Sequence, residues 1–202
     1  MKKASDAANY QKYRWFFTST GKIVIGGKSA AQNESLMKEI LKSKHDYIVM
    51  HTTQPGSPFT VIIDVEGGGV NEKDIEEQAI FTACFSQEWK KGRKNNTAAV
   101  DIFNNKQVVK KHGMKLGTFG VLGKEIRRKV PMKLWLEIQE EKLRAVPNPE
   151  KKIISVEPGM KEKKELLVEI QKILKETYDK EFSKEEIMQA LPAGGITINN
   201  HG

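Results

Sequence analysis

The chain has 202 residues, the size of one ordinary domain or of one domain with a small appendage. Hydrophobic residues make up 38% and charged residues 30%, and no apolar run approaches the roughly 20 residues that cross a bilayer, so the composition points to a soluble, cytoplasmic protein without a membrane partner. One cysteine, Cys84, excludes an internal disulfide framework and cysteine-rich zinc sites, and 34 Lys+Arg against 26 Asp+Glu leave a net charge of +8.

Arg14 to Thr18 and Lys22 to Ile25 are β-branched and aromatic runs separated by Ser19-Thr20-Gly21, which predicts a hairpin. Ser29 caps a helix over 30–42 whose apolar positions Leu36, Met37, Ile40 and Leu41 recur at helical spacing. Tyr47 to His51 and Thr60 to Val65 read as buried strands around the Gln54-Pro55-Gly56-Ser57-Pro58 turn. A helix is predicted over 72–91; its middle, Ala79 to Phe85, is apolar nearly all round and must be buried on several sides. Ala98 to Phe103 and Lys106 to Val109 predict a hairpin around Asn104-Asn105, followed by strands over 118–122, 126–130 and 133–138. Pro147-Asn148-Pro149 marks a boundary. Beyond it the sequence predicts a strand over 153–157, a turn at Pro158-Gly159, an amphipathic helix through Leu166, Leu167, Ile170, Ile173 and Leu174, and a last helix with a Ser183/Glu186 capping box. The class is α+β: a mixed, mainly antiparallel sheet against a buried central helix. A domain over 10–145 would carry a small α/β C-terminal extension, 150–202, packed on it.

The charge is local. Lys90, Lys91, Arg93, Lys94, Lys106, Lys110, Lys111, Lys115, Lys124, Arg127, Arg128 and Lys129 face Asp101 and Glu125 alone, whereas residues 64–88 carry seven acidic residues against Lys73. Part of this is structural, because an acidic first turn and a basic last turn complement a helix dipole. The remainder suits an anionic partner or a solvated surface. Catalytic signatures are missing: His45, His51, His112 and His201 form no metal-ligand pair, no phosphate-binding or nucleophile-elbow motif occurs, and Cys84 sits in the buried helix. No metal and no cofactor is expected. Gly26-Gly27-Lys28 before a capped helix is either a plain strand-to-helix turn or a set of amides for a phosphate. His51, at a strand end, is either structural or a ligand-reaching residue. Arg14 with Trp15, Phe16 and Phe17 offers a cation and aromatics of the kind that stack on unpaired bases; alternation puts Phe16 in the core and leaves Trp15 and Phe17 open.

The run Tyr13-Arg14-Trp15-Phe16-Phe17-Thr18-Ser19-Thr20-Gly21-Lys22-Ile23-Val24-Ile25-Gly26-Gly27-Lys28-Ser29-Ala30-Ala31-Gln32-Asn33-Glu34 resembles the opening of the NFACT-R domain of the RqcH and NEMF ribosome quality-control family. The likeness continues through Val49-Met50-His51, Cys84 to Lys90, Val100-Asp101-Ile102, Gln107-Val108, Lys115 to Phe119 and Gly123-Lys124, in order, over about 10–138. Thr53 and Pro55-Gly56 depart from the family pattern after the histidine, and Leu122 stands where a basic residue is common. The resemblance implies a stand-alone, archaeal-type, non-catalytic module that binds transfer RNA or ribosomal RNA on the large ribosomal subunit, with a separate protein supplying the other NFACT parts. Arg14, Trp15, Gly27, Lys28, Asn33 and His51 would shape a pocket, with Lys90, Lys91, Arg93, Lys94, Lys115, Lys124, Arg127 and Arg128 on phosphates. Two other readings stand beside it. One is an enzyme acting on RNA or a nucleotide near His51 and Asn33 with Asp64, Asp101 or Glu34 as its carboxylate. The other is a protein-binding adaptor that uses the acidic stretch or the C-terminal helices.

Overall fold

Alternating apolar side chains set the first layer. β1 (Arg14–Phe17) and β2 (Ile23–Gly26) pair antiparallel with Arg14 opposite Gly26, closed by Gly21 at φ +84°. The computed structural model describes residues 9–64, 67–92 and 95–202. Val65 and Glu66 of the fourth predicted strand and acidic stretch, and Arg93 and Lys94 of the basic stretch, lie outside the described residues. β3 (Ile48–Thr52), β4 (Thr60–Ile63), β5 (Thr97–Asn104) and β8 (Ile126–Pro131) complete an antiparallel sheet in the order β1-β2-β4-β3-β5-β8. One face packs on α1 (Ala30–Lys42), where Leu36, Met37 and Ile40 meet Trp15, Ile25, Val49 and Phe103.

The other face packs on α2 (Glu72–Cys84), which starts with an Asn71/Asp74 capping box. A second sheet, β10 (Lys142–Val146), β9 (Leu134–Gln139), β11 (Ile154–Lys161) and β12 (Ile196–Asn200), in that spatial order, shares α2 from the far side. Ala79, Ala83 and Cys84 therefore cluster with Met50 and Val100 of the first sheet and with Leu134, Leu136 and Val156 of the second, and Phe81 fills the space between Phe16, Ile62 and Val146. The four-stranded sheet is thus built from both sides of the Pro147-Asn148-Pro149 stretch. It is backed by α4 (Lys163–Tyr178) and α5 (Lys184–Ala190), whose Ser183/Glu186 capping box is formed. This is the α+β arrangement expected of the sequence.

Several local expectations are corrected. The predicted helix 72–91 ends at Cys84, because Ser86 turns its hydroxyl onto the Ala83 carbonyl (2.7 Å) and accepts the Glu88 N–H (3.0 Å); α3 (Glu88–Lys91) then restarts. No hairpin forms at Asn104-Asn105. Asn105 is 2% exposed and bolts the Tyr47 N–H (3.0 Å) and the carbonyls of Ile40 and His45 (3.2 and 3.1 Å), so the chain makes a tight 105–107 turn. β6 (Val108–Val109) then pairs with β7 (Gly120–Val121), all that is regular within the predicted 118–122 strand. Pro158-Gly159 is a bulge inside β11 and not a turn: a Cβ on Gly159 would lie 2.3 Å from the Ile196 backbone, so glycine alone admits β12 there. β10 and β12 are strands that the sequence pattern does not announce.

The β9–β10 connection is strained. Its two turn residues, Glu140 (φ +47°) and Glu141 (φ +62°), both occupy the left-handed region that favours Gly or Asn. Glu141→Gly is expected to stabilise the protein by about 1 kcal/mol, read as a higher urea midpoint at unchanged slope; an unchanged or lower midpoint would count against the strain.

Candidate functional site

The strand-to-helix turn after β2 positions one wall of a cleft of about 670 Å³. Gly27 lies under α1 so closely that a Cβ would sit 2.2 Å from Asn33 Oδ1, and that oxygen accepts the Phe59 N–H (3.2 Å). Asn33 is thereby buried and spent on holding the 53–59 loop, with its amide near the Ser57 carbonyl (3.5 Å). The loop is pinned again where Gly56, at φ +101°, gives its carbonyl to the Gln87 N–H (2.9 Å). The opposite wall is the 116–121 arm, which brings Leu116, Gly117, Thr118, Phe119 and Val121 to the cleft.

One buried carboxylate fixes the distance between these walls. Glu34 of α1 accepts Lys110 Nζ (2.7 Å) and the Gly117 N–H (2.8 Å), and Gly117 at φ +74° lies so near Ala30 that a Cβ would be 2.6 Å from its carbonyl oxygen. The Lys110 ammonium and the Gly117 amide hold the Glu34 carboxyl at about 2, well below the usual range. Lys110 also lies 4.8 Å over the Phe119 ring, which meets Phe59 edge to face (5.4 Å).

His51 is half-buried on the cleft floor, tilted against Phe59 at 4.6 Å. Its Nδ1 lies 2.7 Å from the Thr52 carbonyl, which can only accept, so Nδ1 carries the proton and the neutral ring offers Nε2 as an acceptor. Burial lowers its pKa against the smaller opposing effects of that bond and of Asp101. The register sets His51, Asp101 and Arg127 in a row across β3, β5 and β8. Asp101 is engaged by Arg127 Nε (2.7 Å) and the Thr53 hydroxyl (2.9 Å). Of the other carboxylates weighed as partners, Glu34 is tied up as above and Asp64 pairs with Lys22 (2.9 Å).

The remaining expected residues separate into two groups. Trp15 is 1% exposed, enclosed by Tyr10, Phe17 and the Arg144 guanidinium, and presents no face to a base. Arg127 also meets Glu125 (3.2 Å), Arg128 pairs with Glu72, and Lys91 with Glu88 (2.8 Å). Lys106 and Lys110 are likewise paired, with Asp46 and Glu34. Lys90, Lys111, Lys115, Lys124 and Lys129 are exposed and make no ion pair among the described residues. Arg14 and Lys28 line one end of the cleft, and Lys115 adjoins Leu116 on its lip. The acidic stretch is largely used internally: Asp74 accepts the hydroxyls of Thr18 (2.6 Å) and Thr20, and Glu77 accepts the Ser19 N–H (2.9 Å), locking the β1–β2 turn onto α2. Sequence reasoning missed Phe59 and Phe119 as cleft aromatics and Glu34 as the wall tie; the signal available was Gly117 just ahead of Thr118-Phe119.

A model of the NFACT protein RNA binding domain matches residues 12–123, which hold every residue lining the cleft except Ala193. The chain belongs to this family. It is 31% identical over 205 residues to the archaeal Rqc2 homolog aRqcH of Methanocaldococcus jannaschii, covering 94% of this chain and 29% of that protein. It is also 27% identical over 89 residues to the ribosome quality control complex subunit NEMF of Homo sapiens, covering 44% of this chain and 8% of that protein. The chain thus spans less than a third of the length of these relatives. A solved structure of the C-terminal of the fibronectin/fibrinogen-binding protein from Streptococcus suis shares the fold, at 21% identity and TM-score 0.50, over 59% of this chain and 45% of that one. Among the described residues no helix is long and apolar enough to cross a membrane, and no group of three or more His, Cys, Asp or Glu could hold a metal ion.

The Glu34 tie makes a pH prediction. Its folded pKa is depressed to about 2, so its contribution is complete above the ordinary glutamate value of about 4.3 and is lost as pH falls through that interval. The melting-temperature gap between wild type and Glu34→Gln is expected to be largest near neutral pH and to shrink steadily as pH is lowered from about 4.5. A gap that stays constant to the acid limit would show that the carboxylate charge does not hold the arm.

Proposed function

We propose that this chain is a non-catalytic RNA-binding module working in translation or ribosome quality control, with transfer RNA or ribosomal RNA of the large subunit as its target. The observation that carries the reading is the coincidence of the matched RNA-binding family segment with a preformed cleft. That cleft is lined by Phe59 and His51, with Phe119 on the facing arm, and by Arg14 and Lys28 at one end. The aromatics and the neutral His51 Nε2 suit an unstacked base, which RNA presents in loops and ends. The unpaired Lys115, Lys124 and Lys129 supply sequence-independent phosphate contacts, whereas Arg127 and Arg128 would have to leave Asp101 and Glu72 to do so. The engagement of Asp101 and Glu34 by other groups supports binding over general acid-base chemistry.

A fluorescence-anisotropy titration with transfer RNA and with ribosomal RNA fragments at rising salt tests this. Six or so phosphate contacts are expected to cost about three decades of affinity between 50 and 200 mM salt. Lys115→Ala and Lys124→Ala should each lower the salt slope by about one, and Lys106→Ala, whose ammonium already serves Asp46, by less. No binding of either RNA at 50 mM salt would sink the proposal.

A further inference from the structure

A second cavity of about 610 Å³ opens where β1, β10 and α5 meet, on the other side of Arg14 from the cleft. It is ringed by Arg14, Lys28, Lys142, Arg144 and Lys163, none of which makes an ion pair among the described residues. Glu186 is the one carboxylate in its lining, and that group is committed to the Ser183 N–H (2.8 Å) at the start of α5. Arg14 lies 4.3 Å over the Phe85 ring and Arg144 lies 4.0 Å over Trp15. In each guanidinium the Nε is shut off from solvent with no hydrogen-bond partner, while Arg144 spends one amino group on the Leu143 carbonyl (3.2 Å).

Arg14, Arg144 and Lys163 are half-buried beside the exposed Lys28 and Lys142, and Glu140 only partly offsets the burial of Arg144; holding these cations together without a direct ion pair is costly, and the unpaired buried donors add to the cost. Burial lowers the Arg14 pKa to about 10. Burial also lowers Lys28 and Lys163, and Arg14 pushes each further in the same direction, joined at Lys28 by Arg144 and Lys142. The cavity is therefore a region of concentrated positive potential with two planar forks already oriented by aromatic rings, the geometry that suits a tetrahedral oxyanion.

We propose that this basin seats a phosphate group of the bound RNA, with Arg14 as the shared wall between it and the cleft. Arg14, Lys28, Phe85 and Ala193 line both cavities, so a strand with a base over Phe59 and Phe119 places a neighbouring phosphate among the five cations. This rests on the RNA-binding reading above and adds a location outside the Lys90 to Lys129 stretch.

The test is amine-reactive footprinting of the full chain, read by mass spectrometry at Lys28, Lys142 and Lys163, with the exposed Lys172 of α4 as the reference. It is run with transfer RNA, with a ribosomal RNA fragment and with inorganic phosphate alone. RNA is expected to slow labelling of the three basin lysines several-fold and leave Lys172 unchanged, at phosphate concentrations where inorganic phosphate has no effect. Arg14→Met, which keeps an apolar stem over Phe85, and the rim variant Lys142→Ala with Lys163→Ala should each weaken RNA binding by roughly ten- to a hundredfold, the worth of lost charge-assisted contacts. RNA binding at full strength with unprotected basin lysines, or unweakened in the rim variant, overturns the basin and leaves the RNA-binding reading intact. Protection by inorganic phosphate but not by RNA overturns the RNA seat in favour of a small-anion site. Absence of RNA binding by the wild-type chain overturns both readings.

Discussion

Burial of α2 on both sides is the constraint on which the remaining structure depends. A helix apolar nearly all round cannot lie on a single sheet without leaving a greasy flank in water, so a second sheet must close over it. That requirement brings β10 beside β1, where Gln139 donates to the Phe17 carbonyl (2.9 Å) and accepts its N–H (2.8 Å) with one side-chain amide. Trp15 is sealed and Arg144 laid over it by the same approach, so the β1 edge of the first sheet, the core and the cationic basin share one cause.

The polar chemistry follows from the same docking. Asp74 and Glu77 on the exposed-looking start of α2 hold the β1–β2 turn, and Lys22 and Asp64 pair across the strand ends. Among the described residues, Asp64, Asp74 and Glu77 of the acidic stretch are thus spent on internal fastening. The exposed Lys90, Lys111, Lys115, Lys124 and Lys129 and the cations around Arg14 are left without an ion pair among the described residues, so the positive charge that faces solvent is concentrated in these two places.

Periodicity made much of this legible. The helical spacing of Leu36, Met37 and Ile40, the all-round apolarity of Ala79 to Phe85 and the Ser183/Glu186 pair each specify an element through nearest neighbours in the chain, and each is found. The elements that escaped are set by distant partners. β10 follows a turn of two glutamates held at positive φ by sheet pairing, which no turn signature marks, and Asn105 looks like a hairpin residue until α1 and the 45–47 segment are placed around it. At the site, Gly27 and His51 were visible because a glycine pair and a strand-end histidine are local patterns. Phe59, Phe119 and the Glu34–Gly117 tie were not, because they meet through contacts between residues far apart in the chain. Trp15 shows the converse: an aromatic in a strand announces its chemistry but not which side of the sheet will be covered.

Among the described residues β8 is an end strand of the six-stranded sheet with no strand beyond it, Ile126, Arg127 and Lys129 being exposed and Pro131 closing it. An open edge with a free row of backbone donors and acceptors invites a strand from another molecule, and interspersed like charges with a terminal proline are the usual deterrents. Two β8 strands brought edge to edge would oppose arginines and lysine against their own kind. Basic residues on this strand therefore disfavour pairing of two copies along it, a pressure for them that would operate even in a cell without a nucleic acid to bind.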